Sequence, residues 1–296
     1  MRIDQPGPVN DRITLLGRNE SCVYLLDGKD EYALLGGGMA YIVPDILKQV
    51  EDLGVPPEKI KKLVIHHSHF DHVGAVPYLK KTWPWMEVIA SDRARELLSK
   101  EKVVAAISSL NMMLLPQEGA EDLKASLDIT AIDVDQAVAQ GDVVKCGDLD
   151  FEVIDVPGHS SCSMAVYIPA LKALSASDAG GIPFGDRVFA AANSNFDAYQ
   201  ESLEKMAAYD TQIHLSEHYG ALTGEDGQNY MGRSIQEAKS MRQLLESTYE
   251  KYRDEKKTVD AMVETICEQA PSNFLPREIM AMVLGQMTRF IAKQYA

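Results

Sequence analysis

Four of the seven histidines of this chain lie within one short run, HHSHFDH, at residues 66–72. Within it, His67, His69, Asp71 and His72 follow the pattern H-x-H-x-D-H. Imidazole nitrogens and carboxylate oxygens together suit divalent zinc, iron and manganese. His67 and His69 can converge on one ion while Asp71 and His72 turn toward a second. The run alone therefore predicts that metal is bound, and a complete centre for two ions needs further ligands.

Three further candidate ligands occur in a shared context, an apolar strand followed by a short polar turn. His159 comes shortly after FEVIDV, Asp178 directly follows LKALSAS, and His218 ends the run IHLSEH. Loops at the carboxyl ends of strands are the usual place for sites in α/β proteins. The recurrence of this context predicts that all three residues join the histidine run in one site.

The remaining histidines and a nearby cysteine are interpreted as structural residues. His66 precedes the motif on its strand, and we expect it to pack or to support the ligands from behind. His214 lies inside the strand QIHLSEH as an ordinary residue. Cys162 lies three residues after His159, and simple burial is favoured because seven other ligands are already available.

The elements that must position these residues alternate between strands and helices. Short apolar runs separated by turn residues, ITLLG, SCVYLLDG and YALLGGG, predict sequential antiparallel strands. Helical spacing predicts a helix at 44–53, and KKLVIHH is then a buried strand whose end delivers the histidines. Further strands are predicted at MEVIA, VVKCG, FEVIDV, SMAVYI, KALSAS and QIHLSEH. Further helices are predicted at VGAVPYLKKTW and DAYQESLEKMAAYD.

The same patterns predict two domains. The first, 1–227, is a main domain of strands and helices with a helical insertion at about 91–130, and QIHLSEH is its last strand. The second, 228–296, is a C-terminal helical cap, and the boundary between the two domains falls within the turn-rich segment LTGEDGQNY at 222–230. The predicted fold class is α/β.

The charge and the cysteines restrict the partners and the compartment. The formal net charge is -15, and such a field repels nucleic acid and anionic membranes. No apolar run approaches the ~18 residues of a membrane span. The four cysteines lack a C-x-x-C pair, which suits a reducing compartment, and no secretory signal is expected. We therefore expect a cytoplasmic protein that binds neither nucleic acid nor membranes.

The order H-x-H-x-D-H, His159, Asp178, His218 resembles the metallo-β-lactamase superfamily, on its hydroxyacylglutathione hydrolase branch. The resemblance implies an αββα sandwich, here with a C-terminal helical extension, and two divalent metal ions per chain, with zinc favoured and iron or manganese as alternatives. It implies His67, His69 and His159 on the first ion. It implies Asp71, His72 and His218 on the second ion, with Asp178 bridging both.

Two positions refine this resemblance. The β-lactamases of the superfamily carry cysteine or serine at the place of Asp178, which argues against penicillin hydrolysis. The superfamily usually has an Asp-x-Gly whose aspartate supports the ligands, and here the matching residues are Gly36-Gly37-Gly38. Metal identity and affinity are therefore left open. The segments SLNMMLL, FDAYQESLEKM and NFLPREIMAMVLGQMTRFIAKQ are similar to the quinolone-signal response thioesterases of the same superfamily.

The implied activity is hydrolysis in which a metal-bridging hydroxide attacks an acyl carbon. A thioester is the favoured small-molecule substrate because a thiolate leaves without a proton donor. Asp71 and Tyr219 are the candidate catalytic residues, with Tyr219 as a proton donor. The alternatives are a lactonase or phosphodiesterase on the same centre, or a regulatory binding protein that retains the metal site. A homodimer through the helical parts stays open.

Overall fold

The computed structural model of the protein describes residues 1–115, 129–269 and 276–295. The chain divides into two units, each of which is made of several segments. Unit 1 consists of Met1–Asp155, Cys162–Ser177 and Thr211–Gln228. Unit 2 consists of Val156–Ser161, Asp178–Asp210 and Asn229–Ala296.

The strands of the described residues are short, and most belong to two sheets. In chain order they are β1 (Arg2–Ile3), β2 (Gly7–Pro8), β3 (Ile13–Arg18), β4 (Ser21–Asp27), β5 (Tyr32–Leu35), β6 (Ile60–Val64), β7 (Glu87–Ser91), β8 (Gln136–Val138), β9 (Val143–Cys146), β10 (Leu149–Asp155), β11 (Met164–Ile168), β12 (Ala173–Ser175), β13 (Ile182–Phe184), β14 (Arg187–Phe189), β15 (Ile213–Leu215) and β16 (Ala221–Thr223).

The α-helices of the described residues lie in both units. They are α1 (Val43–Asp52), α2 (Val76–Thr82), α3 (Asp92–Leu98), α4 (Glu101–Met113), α5 (Phe196–Ala207), α6 (Glu225–Tyr252), α7 (Glu255–Gln269) and α8 (Arg277–Lys293).

Unit 1 contains two seven-stranded sheets. One has the order β2-β3-β4-β5-β6-β7-β8, antiparallel up to β5 and parallel from β5 to β8. The other has the order β1-β16-β15-β12-β11-β10-β9 and is antiparallel except for the pair β12–β15. As a result β10, β12 and β15 point the same way, and their carboxyl ends lie at one edge of this sheet.

Side-chain alternation along the strands builds two cores on the two faces of the β2–β8 sheet. In β4, Cys22, Tyr24 and Leu26 pack with residues of β10 and β11. Val23 and Leu25 point the other way and pack with residues of the helices α1–α4. Because successive side chains of a strand point to opposite faces, one apolar run can serve both layers. Unit 1 is therefore layered as helix, sheet, sheet, and the predicted α/β class is confirmed.

Unit 2 contributes a hairpin and helices. β13 pairs with β14, and α5 is preceded by its N-cap Asn195, whose side chain accepts a hydrogen bond from the N–H of Ala198 at 3.0 Å. That is the usual N-cap arrangement. α7 packs on α8, and Met262, Met280 and Met287 are buried in these helices.

Most predicted elements are confirmed, and three details are corrected. β15 is not the last strand, because β16 follows it after a reversal at Tyr219 and Gly220, which have φ of +61° and +90°. The β13–β14 hairpin and the short strands β1, β2 and β8 were not predicted. The predicted helical stretch 91–130 contains α3 and α4, separated at Ser99 and Lys100, while residues 116–128 lie outside the described part. Ile129 and Thr130 are not helical.

Among residues 1–115, 129–269 and 276–295, no helix has both the length and the apolar character needed to cross a membrane.

Candidate metal centre

The histidine run lies in the loop that follows β6, in the parallel part of its sheet. The N–H of Gly37 donates to the carbonyl of His72 at 3.1 Å, and the N–H of Met164 donates to the carbonyl of His66 at 2.9 Å. A Cβ on Gly37 would lie 2.6 Å from that His72 oxygen and 2.5 Å from Val76. The glycine thus permits a backbone approach that fixes the loop.

The other predicted ligands follow strands of the second sheet. His159 comes after β10, Asp178 after β12 and His218 after β15. Because these three strands point the same way, their loops leave from one edge of the sheet. The prediction that each of these residues follows the carboxyl end of a strand is therefore confirmed.

The candidate ligand atoms form two groups. The first contains His67, His69 and His159, and the second contains Asp71, His72, Asp178 and His218. Within each group the nitrogen and oxygen atoms lie within 4.8 Å of one another. These are all seven residues predicted from the sequence, and they separate as two sets that could each hold an ion.

The ligands are largely withdrawn from solvent. His67, His72 and His159 are 1–2% exposed, and His69 and Asp71 retain partial access. Asp71 Oδ2 lies 3.5 Å from the Nε2 atoms of both His72 and His218. Asp178 Oδ2 lies 3.6 Å from His159 Nε2.

Two imidazoles are oriented by backbone carbonyls. His159 Nδ1 lies 2.7 Å from the carbonyl oxygen of Ala191, and His218 Nδ1 lies 2.7 Å from that of Glu20. Since a carbonyl oxygen only accepts, each Nδ1 carries the hydrogen, and the lone pair stays on Nε2. In both residues Nε2 is the atom near the carboxylates. Such contacts hold metal-binding histidines in the coordinating tautomer.

The carboxyl group of Asp71 is in the ionised form that binds metal ions. Burial would raise the pKa of this carboxyl, but the neighbouring His72 and His218 hold the pKa well below its ordinary value. Asp71 is therefore anionic at neutral pH. Five imidazoles and two carboxylates, mostly buried, fit divalent ions of the zinc, iron and manganese kind.

A known protein family matches the part of the chain that contains most of these candidate ligands. The sequence model of the metallo-beta-lactamase superfamily matches residues 16–215, which is more than half of the chain. The chain belongs to the metallo-beta-lactamase superfamily. The matched range contains every predicted ligand except His218.

Curated relatives match the chain at low identity. A hydroxyacylglutathione hydrolase of Bradyrhizobium sp. (strain ORS 278) is 29% identical over 133 residues, which are 45% of this chain but only 38% of that protein. The probable metallo-hydrolase YqgX of Bacillus subtilis (strain 168) is 23% identical over 212 residues, 71% of this chain and 86% of that protein. The match to the first of these relatives thus spans well under half of its length.

Solved structures confirm the metallo-beta-lactamase fold. A metallo-beta-lactamase family protein from Thermus thermophilus superposes with a TM-score of 0.66 and covers 98% of this chain and 92% of its own. The two sequences are 16% identical, so the likeness concerns the fold alone.

The superfamily resemblance left the supporting carboxylate missing at Gly36, and the structure shows a carboxylate nearby. Glu217, 2% exposed, places Oε1 2.5 Å from His66 Nδ1 and Oε2 against His72 Nδ1. Burial would raise the pKa of Glu217, but His72 and His66 lower it, to about 2. His66 accordingly contacts a carboxylate behind the ligands, as expected. Only the adjacency of Glu217 to His218 could have signalled this residue.

Asn111 is a second residue that the sequence did not single out. It is fully buried in α4, and its Oδ1 accepts from the N–H of Ala40 at 2.9 Å. Its Nδ2 donates to the carbonyl of Phe70 at 2.8 Å and to that of Ile107 at 3.1 Å. Since Phe70 lies between two ligands, Asn111 ties the ligand loop to α4.

The remaining predicted residues are placed as follows. Tyr219, the candidate proton donor, is 8% exposed and its ring centroid lies 6.3 Å from that of His218. Its role stays a prediction. His214 is fully buried in β15. Cys162 is buried, as predicted, and its Sγ lies 3.3 Å from Ser68 Oγ.

Proposed function

We propose that this protein is a dinuclear metal-dependent hydrolase that cleaves acyl thioesters. The observation that carries the proposal is the division of seven buried or half-buried donors into two groups, the second with both carboxylates. A single structural zinc needs only four ligands and leaves no open position. Seven donors in two sets exceed that need and favour a reactive centre.

Two divalent ions, when bound, supply a nucleophile from water near neutral pH and polarise a carbonyl oxygen. The residues of the chain prepare the place for this chemistry. The five histidines would hold the ions as neutral ligands, so that Asp71 and Asp178 contribute the only ligand charges. The site then keeps positive charge for a carbonyl or anionic oxygen of the substrate.

The leaving group favours a thioester. A thiolate has a conjugate pKa of about 8.5 and departs without protonation, whereas an alkoxide requires an acid. Tyr219 is the candidate acid, and its backbone is held by Asn19 and Arg2: its N–H donates to the Asn19 carbonyl at 2.6 Å, and its carbonyl accepts from Arg2 Nε at 2.7 Å. Hydrolysis of a thioester does not require this proton donor. We therefore assign Tyr219 a smaller role in the reaction than the metal ligands.

One relative supports the same choice. The Bradyrhizobium protein is named a hydroxyacylglutathione hydrolase, and an acyl group carried on the thiol of glutathione is a thioester. We extend to this chain the reaction class only. The similarity of three sequence segments to quinolone-signal response thioesterases also supports a thioester as the substrate.

The proposal is tested by comparing the wild type with His69→Ala and Asp178→Asn, each purified with a matched surface control, Asp92→Asn, whose side chain is 73% exposed. The substrates are a glutathione thioester, a coenzyme A thioester, a γ-lactone and bis(p-nitrophenyl) phosphate. We expect thioester turnover by the wild type and by Asp92→Asn. Both ligand variants should lose at least about 100-fold, because even outer partners of a metal cost 10–100-fold.

Other results would redirect or overturn the proposal. Turnover of only the lactone or only the phosphodiester would keep the hydrolase and reject the thioester. No turnover of any substrate by metal-loaded wild type would reject the enzyme and favour a regulatory binding protein.

A further inference from the structure

We propose that Glu217 is the positioning residue for His72. Its carboxylate can contact His72 from the loop after β15 because Gly36 has no side chain to occupy the same space. In this chain the supporting carboxylate comes from position 217 instead of position 36. The inference rests on metal binding under the proposed function, but on neither the substrate nor the reaction.

The first observation is that the carboxylate of Glu217 contacts two histidines. Its side chain and that of His66 are each 1% exposed, and the same holds for His72. One oxygen faces His66 Nδ1 at 2.5 Å and the other contacts His72 Nδ1. Because a carboxylate accepts, the hydrogen of His72 is held on Nδ1, and Nε2 is the atom turned toward Asp71 and His218.

The second observation is that positions 36 and 217 compete for one volume. A Cβ on Gly36 would lie 2.9 Å from Glu217 Cδ, 3.0 Å from its Oε1 and 3.2 Å from its Cγ. These are the atoms of the carboxyl group and its stem, so a side chain at 36 would displace them. Gly36 also has φ of +90°, a conformation that glycine adopts at little cost.

The third observation is that both backbones are held in place. The N–H of Gly36 donates to the carbonyl of Val64, the last residue of β6, at 2.9 Å. The carbonyl of Glu217 accepts from the N–H of Cys22 at 2.8 Å. The carbonyl of Ser216 accepts from the buried hydroxyl of Tyr24 at 2.6 Å. The carboxylate is therefore delivered to His72 from a fixed strand end.

A reciprocal exchange tests this assignment. The variants are Glu217→Gln, Glu217→Gly, Gly36→Asp, and Gly36→Asp combined with Glu217→Gly. Aspartate is chosen for position 36 because it tolerates positive φ better than most residues. Glu58→Gln, at an exposed position, is the control for loss of one carboxylate. The readouts are metal content per chain by elemental analysis, zinc affinity by chelator competition, and the denaturation midpoint of metal-free protein.

We expect Glu217→Gln and Glu217→Gly to weaken zinc binding about 10–100-fold, while Glu58→Gln leaves it unchanged. Gly36→Asp alone should lower the denaturation midpoint, because two carboxylates then meet in one buried space. The double variant should bind zinc more tightly than Glu217→Gly, because it returns a carboxylate to the volume that Glu217 occupied.

Wild-type zinc affinity in Glu217→Gln would overturn the assignment. So would a double variant that is folded by circular dichroism but binds no better than Glu217→Gly. If the double variant does not fold, the result for Glu217→Gln decides. Normal metal binding with no thioester turnover would reject the proposed function and leave this inference standing.

Discussion

At the residue scale, the centre depends on what holds each imidazole from behind. Ala191 and Glu20 accept from Nδ1 of His159 and His218 through their backbone carbonyls, and Glu217 does so for His72 through its carboxylate. These contacts select the tautomer that presents Nε2 to the cluster. Loss of such a partner is therefore expected to weaken metal binding by about 10–100-fold.

A substitution at Gly158 would test the close backbone contact beside the ligand His159. Its φ is +130°, and a Cβ there would lie 2.2 Å from the backbone nitrogen of Tyr199. The carbonyl of Gly158 also accepts from the N–H groups of Ser194 and Asn195. We expect Gly158→Ala to lower the free energy of unfolding by roughly 3 kcal/mol or more and to displace His159, with loss of bound metal. Urea unfolding and elemental analysis measure both effects.

Gly141→Ala is the matched control, because Gly141 has φ of +86° but a Cβ there would meet nothing within 4 Å. It should cost only the positive φ, about 1–2 kcal/mol, and leave metal content unchanged. Equal losses in the two variants would contradict the close approach at Gly158.

The cysteines give a second test at this scale. Burial raises the pKa of the Cys22 and Cys146 thiols to about 12, so both stay protonated and unreactive at neutral pH. Cys162 is also buried, and Cys267 is half-buried. Ellman titration of native protein is expected to detect one fast thiol at pH 7 and no further fast thiol at pH 9, with all four appearing in denaturant. Two or more fast thiols in native protein at pH 7 would contradict this arrangement.

At the element scale, helix α6 stabilises the turn that carries Asp178. Tyr230, 1% exposed, donates from its hydroxyl to the carbonyl of Gly181 at 2.8 Å. Ser234, equally buried, donates to the carbonyl of Gly180 at 2.8 Å. The N–H of Gly181 in turn donates to the carbonyl of Asp178 at 3.0 Å. The helical extension therefore contributes to the shape of the ligand turn.

We expect Tyr230→Phe and Ser234→Ala each to cost about 1–3 kcal/mol, since each leaves a buried carbonyl without its partner, and to weaken metal retention in dialysis against a chelator. Ser240→Ala is the control, because Ser240 is exposed on the same helix. Unchanged metal retention in both buried variants would mean that the Asp178 turn holds itself.

The sequence predicted the elements that carry long periodic patterns. β3, β4 and β5 follow from alternation, and the ligands follow from strand ends, because both are local properties of the chain. β16 was not predicted because a three-residue strand is too short to show alternation. The chain reversal before β16 also depends on a positive φ at Tyr219, which tyrosine rarely adopts. Glu217 and Asn111 escaped because their partners lie 145 and 71 residues away in the chain. Only the folded structure shows that Gly36 leaves space for a carboxylate from the loop that follows β15.

At the scale of the whole molecule, the net charge of -15 is expected to prevent nucleic-acid binding. The relevant interactions are electrostatic and depend on neutralising phosphates with Lys and Arg. Fluorescence anisotropy with labelled single-stranded RNA and duplex DNA should show no binding at micromolar protein in physiological salt. A salt-sensitive rise in anisotropy would contradict this expectation and would reopen the phosphodiesterase alternative.

The candidate ligands form two groups, one of His67, His69 and His159 and the other of Asp71, His72, Asp178 and His218, and each group is expected to hold one ion. The most direct test is elemental analysis of protein purified without added metal and then of the same protein loaded with zinc and desalted. We predict two ions per chain after loading, and about one or none in Asp178→Asn, which loses the carboxylate placed between the groups by the superfamily resemblance. About one ion or none per chain in the loaded wild type would contradict a dinuclear centre.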